Sequence, residues 1–124
     1  MKRAILLISH GSFAPQAKAE VMALTRKLKQ KTKIPIFEYS FLEINKPTIL
    51  SGLETCVKKG ATEIRILLNF LNSGNHTLRD IPRFIKKAQK KFPNVRFILT
   101  QPIGQHIKIP NLFLDTLRMS YKYR

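Results

Sequence analysis

Residues 4–15 read Ala-Ile-Leu-Leu-Ile-Ser-His-Gly-Ser-Phe-Ala-Pro, and the fold turns on how they divide. Ala4 to Ser9 form a short apolar run without alternation, the pattern of a strand buried on both faces of a sheet. His10 to Pro15 read as a loop, after which Ala17, Val21, Leu24 and Leu28 recur at helical spacing. A buried strand that passes through a short loop into a helix opens a βαβ unit.

Working outward, the same alternation repeats. Residues 34–42 (IPIFEYSFL) read as a second strand, with Phe37, Tyr39 and Phe41 as partners within the sheet. Pro47 then opens a helix whose apolar face is Ile49, Leu53, Cys56 and Val57. Gly60 stands where a helix C-terminal cap belongs. Residues 63–71 (EIRILLNFL) give a third strand, and the loop 72–76 leads into a helix with Ile81, Phe84, Ile85 and Ala88 on one face. Pro82 is placed in that helix's first turn, where proline is tolerated. A fourth strand covers 95–100, and a short helix follows Pro110. The order βαβαβαβα predicts one α/β domain over residues 1–124, a three-layer αβα sandwich. Right-handed crossovers leave the order 2-1-3-4, flavodoxin-like, as the common winding of four parallel strands.

The 124 residues are 44% hydrophobic, enough to bury one core, and the single cysteine, Cys56, excludes a disulfide framework and cysteine-based metal clusters. Met1-Lys2-Arg3 before an apolar run has the outline of a secretory leader. The run is too short and ends in Ser9-His10-Gly11 without a small-residue cleavage site, so a strand is expected instead, and a cytoplasmic protein. No run approaches the roughly 18 apolar residues of a membrane span. Lys and Arg number 23 against 7 Asp and Glu, a net charge of 23 − 7 = +16. That field suits a polyanionic partner without naming one. Its lysines gather at the ends of the predicted helices, where they complement helix dipoles.

In the order 2-1-3-4 the ligand crevice lies between strands 1 and 3, at their carboxyl ends. His10 follows strand 1 and His76 closes the loop after strand 3; Glu43 lies just beyond strand 2 on the same edge. Neighbouring strands are about 4.8 Å apart, so two imidazoles and a carboxylate meet at an open edge, a donor set for a borderline divalent metal with vacant positions. Each residue also has a plainer reading, as a loop histidine or a helix-capping carboxylate. His106, after strand 4, reads as a loop residue, and Cys56 as a buried, inert thiol. Ser12 lacks a hydrolase nucleophile's frame, and no G-x-G-x-x-G or G-K-[ST] supports a nucleotide cofactor. Lys18, Lys46, Arg79, Arg83 and Lys108 are the cations nearest the crevice.

Several segments together carry a family resemblance. They are Ile5-Leu-Leu-Ile-Ser-His10-Gly-Ser12; Phe41-Leu-Glu43 with Pro47; Gly60-Ala-Thr62; Gly74-Asn-His76-Thr-Leu-Arg-Asp80-Ile-Pro82; and Pro102-Ile-Gly104 with His106. In this order, over nearly the whole chain, the sequence is similar to the small sirohydrochlorin chelatases, the CbiX/SirB type of class II tetrapyrrole chelatase. The resemblance implies a lyase that inserts Co²⁺ or Fe²⁺ into sirohydrochlorin for cobalamin or siroheme biosynthesis. It implies that His10 and His76 bind the metal and exchange it for pyrrole protons, with Glu43 assisting. Ser12, Lys46, Gly74 and Arg79 are expected to bind substrate. It implies a homodimer, a metal that is substrate, and no permanently bound cofactor. Two departures stand out: Phe13 where the family commonly has Arg, and Asn75 where it has a second Gly.

The alternatives are nickel insertion into the same macrocycle, a metal carrier without turnover, and a basic nucleic-acid-binding module. The last is disfavoured because the lysines are split among three helix ends and the aromatics lie within strands, leaving no stacking platform. A membrane partner is not expected.

Overall fold

The computed structural model describes residues 2–72, 77–119 and 122. The chain runs β1 (Arg3–Ser9), α1 (Pro15–Lys31), β2 (Ile36–Phe41), α2 (Ile49–Lys58), β3 (Glu63–Leu68), α3 (Thr77–Lys91) and β4 (Arg96–Pro102). A 3₁₀ turn (Ile103–Gln105), α4 (Ile109–Thr116) and a second 3₁₀ turn (Leu117–Met119) follow. The four strands form one sheet in the order β2-β1-β3-β4, every pairing parallel, so the predicted winding is the observed one.

Side-chain alternation on the strands builds two unequal cores. Ala4, Leu6 and Ile8 of β1, with Ile64, Ile66 and Leu68 of β3, face α2 and α3 and are buried with Leu53, Cys56, Ile81 and Ile85. The opposite face carries Ile5, Leu7 and Phe37, packed by Val21 and Leu28 of α1. Each large aliphatic side chain buried this way contributes roughly 1.5–3 kcal/mol. Helix α2 approaches the sheet closely because residue 52 is glycine: a Cβ there would meet Ser40 Oγ and Leu6 Cδ1. The α2 C-terminus closes as a Schellman motif, with Gly60 at φ +99° and its N–H donating to the Val57 carbonyl at 2.9 Å. The Ala61 N–H donates to the Cys56 carbonyl at 3.0 Å.

Three expectations need correction. Leu24 was assigned to the buried face of α1, yet it is exposed, and Thr25 is the buried residue of that helix. The reason is that α1 covers only part of its face of the sheet, and none of the residues of α4 is buried. Pro82 is the sixth residue of α3, past the first turn, where its ring removes one helical N–H donor. The third strand ends at Leu68 instead of residue 71.

Basic residues do close the helices: Lys29 and Lys31 on α1, Lys58 on α2, Lys90 and Lys91 on α3. At the amino edge of the sheet, buried Glu63 is neutralised by Arg3 and Arg65, each Nε 3.4 Å from its carboxylate. No helix among the described residues is long and apolar enough to cross a membrane.

Candidate metal centre

The carboxyl ends of β1 and β2 remain joined after both strands stop. The Leu42 N–H donates to the Ser9 carbonyl at 2.8 Å and the Glu43 N–H to the His10 carbonyl at 3.1 Å. These bonds set residues 10 and 43 side by side. Gly11 makes the approach possible, because at φ +104° it lies where a Cβ would meet the Glu43 carbonyl oxygen. Beyond Glu43 the chain turns at Ile44, a β-branched residue held at φ 71°. Such a conformation costs about 1–3 kcal/mol and persists only where neighbours fix it. Asn45 supplies the fixing: its Oδ1 accepts from the Ser12 N–H at 2.7 Å, and its own N–H donates to the Glu43 carbonyl at 2.8 Å.

The result is a close pair of donors. His10 Nε2 lies 3.1 Å from Glu43 Oε1, both side chains about half exposed. His10 Nδ1 lies 3.2 Å from the Gly11 carbonyl, so each ring nitrogen faces an oxygen and Nε2 is the one turned to Glu43. A nitrogen and a carboxylate oxygen at this separation bracket the place of a cation, proton or metal. For ligand bonds of about 2.1 Å, a 3.1 Å donor separation corresponds to an angle near 95° at the ion. Phe70 stacks edge-on against the imidazole at 6.5 Å between centroids, and Asn69 Nδ2 donates to Ser9 Oγ at 3.0 Å behind it. Among the described residues no three His, Cys, Asp or Glu side chains converge. The seat formed by the described residues is two-sided.

A cavity of about 460 Å³ adjoins the pair, lined by His10, Gly11, Ser12, Glu20, Phe41 and Asn69 among others. Ser12 is thus brought to the site as expected, its Oγ accepting from the Ala14 N–H at 3.0 Å. Lys46 lines a different cavity, of about 550 Å³, with Lys18, Tyr39 and Ser51. Arg79 is exposed on the first turn of α3. His76 and Gly74 lie outside the described residues. His106 serves its own turn, with Nδ1 accepting from the Lys108 N–H at 3.0 Å. Cys56 is buried, and desolvation pushes its thiol up to about 12. Sequence reading passed over Asn45, Asn69 and Phe70. Asn69 had a signal, as the one polar side chain near the end of the apolar run 66–71; Asn45 had none, since its role depends on the backbone at Ile44.

A family model described as CbiX matches residues 4–120. The sirohydrochlorin ferrochelatase of Bacillus subtilis is 40% identical over 104 residues, which are 84% of this chain and 40% of that protein. The sirohydrochlorin cobaltochelatase of Saccharolobus islandicus is 30% identical over 123 residues and covers 94% of each chain. Among solved structures, the sirohydrochlorin chelatase SirB from Bacillus subtilis subspecies spizizenii, in complex with cobalt, superimposes with a TM-score of 0.87 at 35% identity. That match covers 96% of this chain and 51% of the other. The chain thus spans about half the length, or less, of the two Bacillus proteins.

Proposed function

The chain belongs to the CbiX family, and from that premise we propose that it is a sirohydrochlorin chelatase, a lyase inserting Co²⁺ or Fe²⁺ into the macrocycle. Residues 1–124 act in this reading as one chelatase-like domain, cytoplasmic and paired as a homodimer. The observation that carries the proposal is the facing pair of His10 Nε2 and Glu43 Oε1 at the carboxyl edge of the sheet.

Metallation must strip water from a divalent ion, pass the ion to four ring nitrogens and remove two N–H protons. A neutral imidazole and a carboxylate can hold the ion while leaving most of its coordination sphere open, so that the macrocycle can displace them. Once the ion has left, the same two groups are lone-pair acceptors for the pyrrole protons. His76 serves as a further metal ligand and proton acceptor. Ser12, Lys46, Gly74 and Arg79 take the macrocycle's carboxylates and rim. The donor set suits Co²⁺, Fe²⁺ and Ni²⁺ alike, so nickel insertion is the nearest alternative activity.

Anaerobic mixing of the protein with sirohydrochlorin and each of the three metals, followed by absorbance, tests this reading. Metal-dependent rates above the uncatalysed background, lost in His10→Ala and in His76→Ala, are expected. Metal binding without acceleration would make the protein a carrier, and neither binding nor acceleration would remove the proposal.

A further inference from the structure

With 23 Lys and Arg against 7 Asp and Glu, most cations of this chain stand without an acidic partner, and an exposed ammonium in water needs none. Lys18 is a different case. Among the described residues it is the one Lys or Arg that is partly buried, every other being exposed, and it makes no ion pair or hydrogen bond with a described residue. Burial takes hydration away from an ammonium, and an anion or a polar group must restore it.

The cavity of about 550 Å³ that Lys18 shares with Lys46 is lined further by Tyr39, Pro47, Thr48 and Ser51, so two ammonium groups border it and no carboxylate does. Tyr39 is partly buried, its ring set edge-on against Phe41 at 5.8 Å between centroids, and its hydroxyl bonds to no described residue. The segment after Lys46 is tied down: the Phe41 N–H donates to the Pro47 carbonyl at 2.8 Å, and the Ser51 N–H to Thr48 Oγ1 at 3.2 Å. The cations thus stand on anchored backbone, Lys18 on the first turn of α1 and Lys46 at the entry to α2, with Tyr39 on β2. We infer that this cavity binds an organic oxyanion, a carboxylate or phosphate held between the Lys18 and Lys46 ammoniums, with the Tyr39 and Ser51 hydroxyls donating to it. The volume falls within the roughly 300–1,000 Å³ of small-ligand sites and exceeds what a bare ion needs. The Tyr39 ring and Pro47 give the body of such a ligand an apolar wall.

Two sources carry this chemistry. One is a carboxylate arm of the macrocycle, which rests on the proposed chelatase reading. Its ring would then lie at the neighbouring cavity, since Ala17 and Phe41 line the cavity at His10 while Lys18 and Tyr39, their neighbours in chain and in space, line this one. The other is a free organic phosphate or polycarboxylate, for which the cavity serves as a separate site, since the two share no lining residue.

Calorimetric titration of the metal-free protein with phenyl phosphate, a dianion at about pH 7.5, tests the inference. Saturable binding of a single equivalent per chain is expected. Lys18→Met, which keeps the length and packing of the side chain, and Lys46→Gln, at an exposed position, should each weaken it at least about tenfold, and Tyr39→Phe about three- to tenfold. Lys87→Met removes the same charge from an exposed position on α3 and should leave binding unchanged. Circular dichroism confirms that all four variants fold. Equal weakening in Lys87→Met would reduce the effect to net charge and overturn the inference. So would binding that never saturates, or wild-type affinity in both Lys18→Met and Lys46→Gln. A second titration, of sirohydrochlorin into the metal-free wild type followed by the macrocycle's fluorescence, separates the sources. Competition by phenyl phosphate that disappears in Lys18→Met assigns the site to a carboxylate of the macrocycle, and simultaneous binding of both ligands assigns it to a free anion. Neither titration requires turnover, so failure of the site and failure of the chelatase reading are seen separately.

Discussion

The backbone carbonyl of Glu43 fills the volume that a Cβ on Gly11 would need. Histidine 10 and Glu43 can share a metal only while this approach holds, since the Glu43 N–H is bonded to the His10 carbonyl at 3.1 Å. Gly11→Ala must therefore move the 43–45 turn and also bear a φ of +104°. A loss of about 1–3 kcal/mol in stability is expected, with the proposed chelatase activity down at least about tenfold. Thermal melting and initial metallation rates check it; a variant with unchanged rates would separate the close approach from function.

Lys46 lines a cavity that shares no lining residue with the one at His10. Lys46→Ala should raise the KM for sirohydrochlorin about two- to fivefold while leaving Co²⁺ affinity unchanged. Because the whole chain carries +16, kcat/KM of the wild type should also fall as salt is added. Steady-state kinetics at two ionic strengths measures both effects, and an unchanged KM would take Lys46 out of substrate binding.

The Lys91 ammonium, 2.8 Å from Glu54 Oε1, holds that carboxyl below its ordinary value of 4.5 through a hydrogen bond and its charge. The unfolded chain therefore takes up the proton first, and the pair's contribution is present above pH 4.5 and lost as pH falls through the lower, folded value. The wild type should melt higher than Glu54→Gln at pH 7, and the two should converge near pH 3. A gap that stays constant across that range would show that the pair does not link stability to protons.

Ser40 Oγ is fully buried and has no hydrogen-bond partner among the described residues, pressed against Gly52 of α2. Removing the hydroxyl removes its desolvation cost, so Ser40→Ala is expected to gain about 1 kcal/mol, or about 3–5 °C in Tm. Gly52→Ala, which drives a methyl into Ser40 and Leu6, should lose about 1–3 kcal/mol. Calorimetry on both variants decides the sign; a less stable Ser40→Ala would mean that the packing of the hydroxyl outweighs its desolvation.

Strand order was legible because β1 is an unbroken apolar run that only a central strand can bury, and because each later strand is separated from it by a helical period. The same logic placed His10 and Glu43 on one sheet edge, since strand ends are where loops expose side chains. Leu24 was misread for an instructive reason. Helical spacing reports which face a helix would bury, but whether the chain has anything to bury it against depends on α4, whose eight residues are too few for periodicity to orient. Asn45 was invisible for a different reason: a side chain that braces a turn has no spacing of its own. The fit of His76 to the site rests on the resemblance and on the order of the strands, not on a described side chain.

The ladder between β1 and β2 runs on for two residues after the strands have ended, and that ladder is main chain. A seat mounted on peptide groups can be passed down a lineage with little memory of its neighbours. Side chains outside that ladder, such as Phe13 and Lys46, can change without moving the imidazole and the carboxylate, which stay where the backbone puts them. Innovation in such a protein falls to its margins, and its centre is what descends.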